Sequence, residues 1–134
     1  MSTFEKLQLV YYQEIGQLFY AVAAADKLVH EKEYQALREF VSSEWTTKNE
    51  FKDEFGANAV YQMEIVFDWF DYEGLDADDC FDSFSEYYKE HVSLFTPEKK
   101  RLIWKTANAI ADAFAGKNKS ELIILSRLQL LFKD

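Results

Sequence analysis

The sequence contains one cysteine, one proline and four glycines among 134 residues, and it has no long apolar run. A single cysteine excludes an internal disulfide and a cluster of thiolate metal ligands. So few glycines and prolines leave little material for the turns of a multi-strand sheet. No apolar run approaches the roughly 18 residues of a membrane-spanning helix. These shortages predict an all-α chain with short connections and no membrane span.

Basic residues are also in short supply. The chain has 24 Asp and Glu against 15 Lys and Arg, which gives a net charge of −9, and it has no Lys/Arg stripe. An acidic protein repels the phosphate backbone, so we expect no nucleic-acid binding. Basic proteins and divalent cations are the natural partners of such a surface. The first residues lack the basic-then-apolar order of a secretory signal, and we expect a soluble cytoplasmic protein.

The residues needed for familiar catalytic sites are scarce. With two histidines, no glycine-rich phosphate loop and no G-x-S-x-G motif, the sequence offers no catalytic residues and no site for an organic cofactor. Cys80 lies on an apolar stripe, which favours a buried core thiol. The chain is therefore predicted to be non-enzymatic. A hydrolase acting through a carboxylate-bound metal ranks last among the alternatives.

What the sequence has in abundance is aromatic residues: twelve Phe, eight Tyr and three Trp. Each ring can bury roughly 150–250 Å², so most of them belong in a core. Some of the Tyr and Trp side chains could instead line a groove or an interface, where these residues are enriched. The length fits a single domain over residues 1–134. We expect one compact bundle of six to seven helices.

Apolar spacing and capping residues mark the helices. The first helix should end in the alanine run 23–25, and its Gly16 should mark a close helix crossing. The second helix should run from about Glu31 to Trp45. The polar stretch that follows, anchored by Phe51 and Phe55, is interpreted as a short helix or turn. Further along, the pattern predicts a helix over 57–72, an N-cap at Asp76 and a helix start at Thr96-Pro97. The apolar last helix, ELIILSRLQLLF, is expected to be central.

The two ends of the chain match each other at an offset of 88 residues. Glu33 aligns with Glu121, Leu37 with Leu125, and the alanines of the two helix ends also coincide. Both copies have the order helix, short loop, helix. Any two amphipathic helices place apolar residues at the same spacing, which explains part of this match. A pseudo-repeated helix–loop–helix would explain all of it.

The run from Ala25 to Glu33, ADKLVHEKE, resembles the A-D-G-x-(apolar)-x-x-x-E signature of tellurite-resistance TerB-like domains. Domains of this type also occur at the N-termini of some DnaJ-like co-chaperones. The resemblance implies an all-helical fold with two helix–loop–helix copies facing each other, and a link to metal stress and to scaffolding. Two departures weaken it: Lys27 stands where the family has Gly, and the second copy keeps only Glu121 of the acidic pair.

The acidic first loop is the candidate metal site. Asp26 and Glu33, with Glu31 as a further ligand, could hold a divalent cation such as Mg²⁺ or Ca²⁺, because both ions prefer oxygen ligands. The alternative is structural: Asp26 closes a turn and the glutamates are ordinary first-turn acids.

The acidic run from Asp68 to Asp82 also needs testing as a calcium loop. Placing Gly74 at position six of an EF-hand puts Trp69 and Cys80 at the two obligatory ligand positions, so it is not an EF-hand. A solvated acidic face or a loose cation site remain the two interpretations of this run.

Two functions follow from these observations. The first is a non-enzymatic TerB-like module that acts in protein–protein interaction or scaffolding, in a stress-related setting, with another protein or a second copy of itself as partner. The alternative is a divalent-metal-binding domain that uses Asp26 and Glu33.

Overall fold

The computed structural model describes residues 2–47 and 58–133, and within these ranges its regular structure is helical. In residues 2–47 and 58–133 the α-helices are α1 (Thr3–Ala23), α2 (Glu31–Phe40), α3 (Gln62–Glu73), α4 (Ala77–Glu90), α5 (Pro97–Asp112) and α6 (Lys119–Phe132). A π-helical turn, Val41–Trp45, continues α2, and a 3-10 turn, Val92–Leu94, precedes α5. The predicted all-α bundle is confirmed.

Helix α1 is the centre of the bundle. It packs against α3, α4, α5 and α6, and every residue from Ile15 to Ala23 is buried. Nine consecutive buried residues cover all faces of a helix, since one turn takes 3.6 residues. The small side chains of this segment let four neighbouring helices approach closely.

The prediction that the last helix is central is wrong. Helix α6 buries only one stripe (Ile124, Leu125 and Leu128), while Leu122, Ile123 and Leu130 are half-exposed or more. Apolar composition alone does not separate a central helix from a peripheral one. Helix α1 has the longer apolar segment and smaller residues, and it takes the central position.

The predicted helix ends are largely confirmed. Asp76 accepts a hydrogen bond from the Asp79 N–H at 3.0 Å, and Thr96 accepts one from the Lys99 N–H with Pro97 at the first helical position. Helix α3 ends at Gly74, whose φ of 66° is left-handed. The polar stretch with Phe51 and Phe55, predicted as a short helix or turn, falls in residues 48–57, outside the described part of the chain.

Aromatic residues fill the core, as predicted. The fully buried Trp45 ring meets Tyr12 and Phe19 of α1 edge to face, and its Nε1 donates a hydrogen bond to Thr106. The Tyr20 hydroxyl donates to the Leu75 carbonyl at 2.6 Å. Buried tyrosines and tryptophans need such partners for their polar atoms.

A bilayer crossing needs a helix that is both long and apolar, and none of the helices in residues 2–47 and 58–133 meets that requirement.

Helices α1 and α3 approach each other closely at Gly16, as its sequence position suggested. A Cβ atom added to Gly16 would lie 2.7 Å from the Met63 carbonyl oxygen and 2.8 Å from the Met63 Cα. Both atoms belong to the main chain of the segment at the start of α3. Only glycine therefore allows α1 and α3 to pack at this distance.

We expect Gly16→Ala to destabilise the protein. Alanine in a helix normally adds up to about 1 kcal/mol of stability relative to glycine. Here the added methyl group collides with backbone atoms, and overpacking of this kind lowers the free energy of unfolding by about 1–3 kcal/mol. Urea denaturation measures the change. An unchanged or higher free energy of unfolding would contradict the close α1–α3 contact.

Candidate functional site

Two short loops carry the residues predicted to form a site. The first loop, residues 24–30, joins α1 to α2, and the second loop, residues 113–118, joins α5 to α6. Each contains a non-glycine residue with a left-handed backbone, Lys27 (φ 69°) and Ala115 (φ 56°). Each ends at a helix N-cap, His30 and Asn118. Both pairs are 88 residues apart, the offset found in the sequence.

The two loops contact each other reciprocally. Asp26 of the first loop accepts a hydrogen bond from the Asn118 side-chain amide at 2.7 Å. Phe114 of the second loop stacks on the His30 ring, with 3.7 Å between centroids. Asp26 and Phe114 each lie four residues before the cap of their own loop, so each loop contacts the cap of the other. This reciprocity is the pattern of two-fold symmetry.

Two buried glutamates lie at this junction. Glu33 and Glu121 occupy the third position of α2 and α6, and each is only 1% exposed. The Glu33 carboxyl accepts a hydrogen bond from the His30 N–H at 2.8 Å, and the Glu121 carboxyl accepts one from the Asn118 N–H at 3.0 Å. Both therefore cap their helices from within, as a capping box does.

The two carboxyls also interact with each other. Burial is the main cause that raises the pKa of Glu33 to about 8. The hydrogen bond with Glu121 and the negative charges of Glu121 and Asp26 also raise this pKa, whereas the hydrogen bond from the His30 N–H lowers it. Two carboxylates this close cannot both ionise at low cost in a buried site. The raised pKa of Glu33 favours its protonated form near neutral pH.

The predicted metal ligands are thus engaged with protein groups. One oxygen of Asp26 accepts from the Leu28 N–H at 3.1 Å and the other from Asn118, while Glu31 is exposed in the first turn of α2. No group of three or more His, Cys, Asp or Glu in the described part of the chain is arranged to hold a metal ion. Metal binding through Asp26 and Glu33 stays a prediction, which calorimetric titration of chelator-treated protein with Ca²⁺ and Mg²⁺ tests.

The acidic run from Asp68 to Asp82 is divided among several roles. Asp76 caps α4, and Asp78 and Asp82 both bind the Arg127 guanidinium of α6, at 2.9 and 2.8 Å. Cys80, within the same run, is buried as predicted. Burial, followed by the negative charges of Asp76 and Asp79, raises the pKa of its thiol to about 11.

Sequence reasoning missed the outer face of α3 and the residue just before it. The inner face packs Met63, Val66 and Phe67 into the core, as the apolar spacing predicted. A second apolar row runs along the opposite face, and we call it the outer stripe: Tyr61, Ile65, Trp69 and Tyr72, which are 42%, 55%, 58% and 88% exposed. Its spacing of four, four and three residues is a helical signal in the sequence. The outer stripe was overlooked because the buried face of the same helix already explained its apolar residues.

The outer stripe lies in the acidic part of the molecule. The sequence from Tyr61 to Tyr88 contains nine Asp and Glu and no Lys, Arg or His. The number of these acids equals the protein's net negative charge of −9, because the remaining acidic residues are equal in number to the Lys and Arg. The remainder of the chain is therefore neutral overall. The segment that presents the exposed rings therefore also carries the protein's excess of negative charge.

Comparison of this chain with protein-family models, with curated proteins and with solved structures gave no match. The TerB-like resemblance therefore stays a prediction. One feature of the first loop agrees with it: Lys27, at the position where that family has Gly, adopts the left-handed backbone that favours Gly.

We expect Glu33→Gln to change how stability depends on pH. Because the folded pKa of about 8 exceeds the ordinary 4.5, the folded state holds a proton that the unfolded state releases between these values. This contribution is complete below pH 4.5 and is lost as pH rises to 8, with a slope of at most about 1.4 kcal/mol per pH unit. Glutamine cannot ionise, yet it can accept from the His30 N–H and donate to Glu121.

Urea denaturation between pH 5 and 9 measures this difference. Relative to the wild type, Glu33→Gln should gain stability as the pH rises, and the exposed control Glu31→Gln should follow the wild-type slope. Parallel curves for the wild type and Glu33→Gln would show that the pKa of Glu33 is not raised in the folded protein.

We expect Lys27→Gly to stabilise the protein. A left-handed backbone costs a non-glycine residue about 1–2 kcal/mol, and glycine removes that strain at a smaller entropic cost. The free energy of unfolding should rise by about 0.5–1 kcal/mol. The control Lys32→Gly, at a helical position in α2, should lower it by about 1 kcal/mol. Losses of equal size in the two variants would argue against a strained first loop.

Proposed function

We propose that this chain is a non-enzymatic helical module that binds another protein through the outer stripe of α3. The observation that carries the proposal is the exposure of Trp69 and Tyr72, with Tyr61 and Ile65, along one side of a single helix. Tryptophan and tyrosine are the residues most enriched at the energetic centres of protein interfaces. Folding does not require them to be there, since the opposite face of α3 supplies its core contacts.

The arrangement of these side chains also suits binding. The outer stripe and its neighbours Tyr34, Glu64 and Asp68 line a shallow groove. Trp69 is held by its own helix: its Nε1 donates to the Glu73 carboxylate at 3.3 Å, and its ring packs against Phe70. A ring oriented in advance loses less conformational entropy on binding, which favours affinity.

Helix α6 presents another set of exposed apolar residues, Leu122, Ile123 and Leu130. These side chains are aliphatic, and Leu122 does not share a helical row with the other two. Scattered aliphatic residues of this kind are normal on protein surfaces. The outer stripe is continuous and aromatic, and we therefore place the binding surface there.

The TerB-like resemblance supplies the biological setting of the proposal. It would make the chain a cytoplasmic scaffolding module linked to metal stress and tellurite resistance. Divalent-metal binding through Asp26 and Glu33 is the second candidate from the sequence. No contact of these two residues favours it in the way that exposed aromatic rings favour protein binding.

Site-specific photo-crosslinking tests the proposal. A benzoylphenylalanine at position 72 replaces one exposed aromatic ring by another and should leave the fold intact. In extract of cells that make the protein naturally, we expect ultraviolet light to produce a discrete crosslinked species, identified by mass spectrometry. The purified partner should then bind the wild type and bind Trp69→Ala at least about tenfold more weakly, as for a central interface residue.

The matched control places the same crosslinker at position 130, where Leu130 is 70% exposed on α6. Identical adducts from positions 72 and 130 would indicate random collisions. An absence of adducts from position 72, or a purified partner that binds Trp69→Ala as tightly as the wild type, would overturn the proposal.

A further inference from the structure

Resting on that proposed function, we propose the chemical class of the partner: a basic amphipathic α-helix of at least three turns that docks along the outer stripe. Two features of α3 carry this inference. They are the helical spacing of its exposed apolar residues and the placement of its acids on both sides of them.

The length of the outer stripe favours a helical partner. Tyr61 and Tyr72 are eleven residues apart, which corresponds to about 16 Å along a helix axis. A partner helix that presents apolar residues at every third or fourth position over three turns matches this length. An amphipathic helix that lays its apolar face against a hydrophobic groove is a common mode of peptide recognition.

The charges beside the outer stripe specify the sign of the partner. At 100° per residue, Glu64, Asp68 and Asp71 lie along one edge of the apolar row and Glu73 lies along the other. Helix α3 has no basic residue. Lys and Arg on both flanks of a docked helix would therefore meet carboxylates on both sides, and such complementarity sets specificity and association rate.

The groups that face these acids from neighbouring helices are Arg38 and Glu31 of α2. Arg38 lies 3.7 Å from Glu64 and neutralises part of its charge. Partial burial and then the negative charges of Asp68 and Glu31 raise the pKa of Asp71. Asp68, Asp71 and Glu31 therefore repel one another, and a cation of an incoming partner would reduce this repulsion.

The same charges argue against other occupants. A second copy docked stripe to stripe would bring the four acids of each α3 into contact with those of the other, and like charges across an interface are unfavourable. Nucleic acids and anionic lipid surfaces would be repelled for the same reason. A basic protein segment is the partner class that satisfies both the aromatic rings and the acids.

Model peptides test the partner class even before the natural partner is identified. The probes are a fluorescently labelled 18-residue Leu/Lys peptide with helical apolar spacing, a Leu/Glu peptide of the same pattern, and a Leu/Lys peptide of equal composition whose order removes the amphipathic face. Binding of each to the full chain is measured by fluorescence anisotropy at low and at physiological salt. We expect saturable binding of the ordered Leu/Lys peptide and at least about tenfold weaker binding of the other two.

Matched variants separate the outer stripe from general attraction by an acidic protein. Trp69→Ala should weaken binding about tenfold or more, whereas Leu130→Ala should not change it. The double variant Asp68→Asn/Glu73→Gln should weaken binding and reduce its salt dependence. Glu86→Gln/Glu90→Gln, which removes two exposed acids of α4, should have less than a twofold effect.

The outcomes distinguish the partner class from the proposed function. Equal loss from the acid variants of α3 and α4, with no effect of Trp69→Ala, would mean non-specific charge attraction and would overturn the inference. Trp69-dependent binding of the Leu/Glu or the reordered peptide would overturn the basic amphipathic class while leaving α3 as a docking surface. The same conclusion follows if no model peptide binds although crosslinking at position 72 yields a partner. Failure of both experiments would remove the proposed function itself.

Discussion

The burial of α1 on all its faces is the constraint on which the rest of the structure depends. Nine consecutive residues, Ile15–Ala23, are buried, and α3, α4, α5 and α6 must pack around them. Gly16 sets the distance to α3, because any side chain there would meet the main chain of Met63. That contact directs the inner face of α3 to the core. The opposite face, with its exposed rings, consequently points outward.

The paired loops hold the two halves of the chain together. The loops make two reciprocal contacts, one between Asp26 and Asn118 and one between His30 and Phe114. The buried carboxyls of Glu33 and Glu121 interact at the same junction. Each glutamate caps its own helix while facing the other. A protonated Glu33 reduces the repulsion between these two buried acids near neutral pH. The residues predicted to bind a metal thus also make structural contacts, and metal binding through them stays a prediction.

Charge and aromatic exposure coincide in one part of the molecule. The base-free stretch from Tyr61 to Tyr88 contains the nine acids that account for the net charge, and α3 within it presents the outer stripe. Two of these nine acids, Asp78 and Asp82, bind Arg127, which crosses from α6. This charge distribution is the electrostatic basis of the proposed docking of a basic helix on α3.

The sequence by itself determined the helical class, the helix ends at Asp76 and Thr96, the close crossing at Gly16, the buried thiol of Cys80 and the match between Glu33 and Glu121. These features depend on local spacing, on capping chemistry and on the conformational freedom of glycine, all of which are properties of short stretches of sequence. Only the tertiary structure decided which helix is central, which of the two apolar faces of α3 is buried, and that Glu33 faces Glu121 across 88 residues. The physical reason is that apolar periodicity shows that a face can be buried, whereas the number of neighbouring helices decides whether it is. Where several helices offer apolar faces, the sequence alone does not tell which of those faces packs against a neighbour.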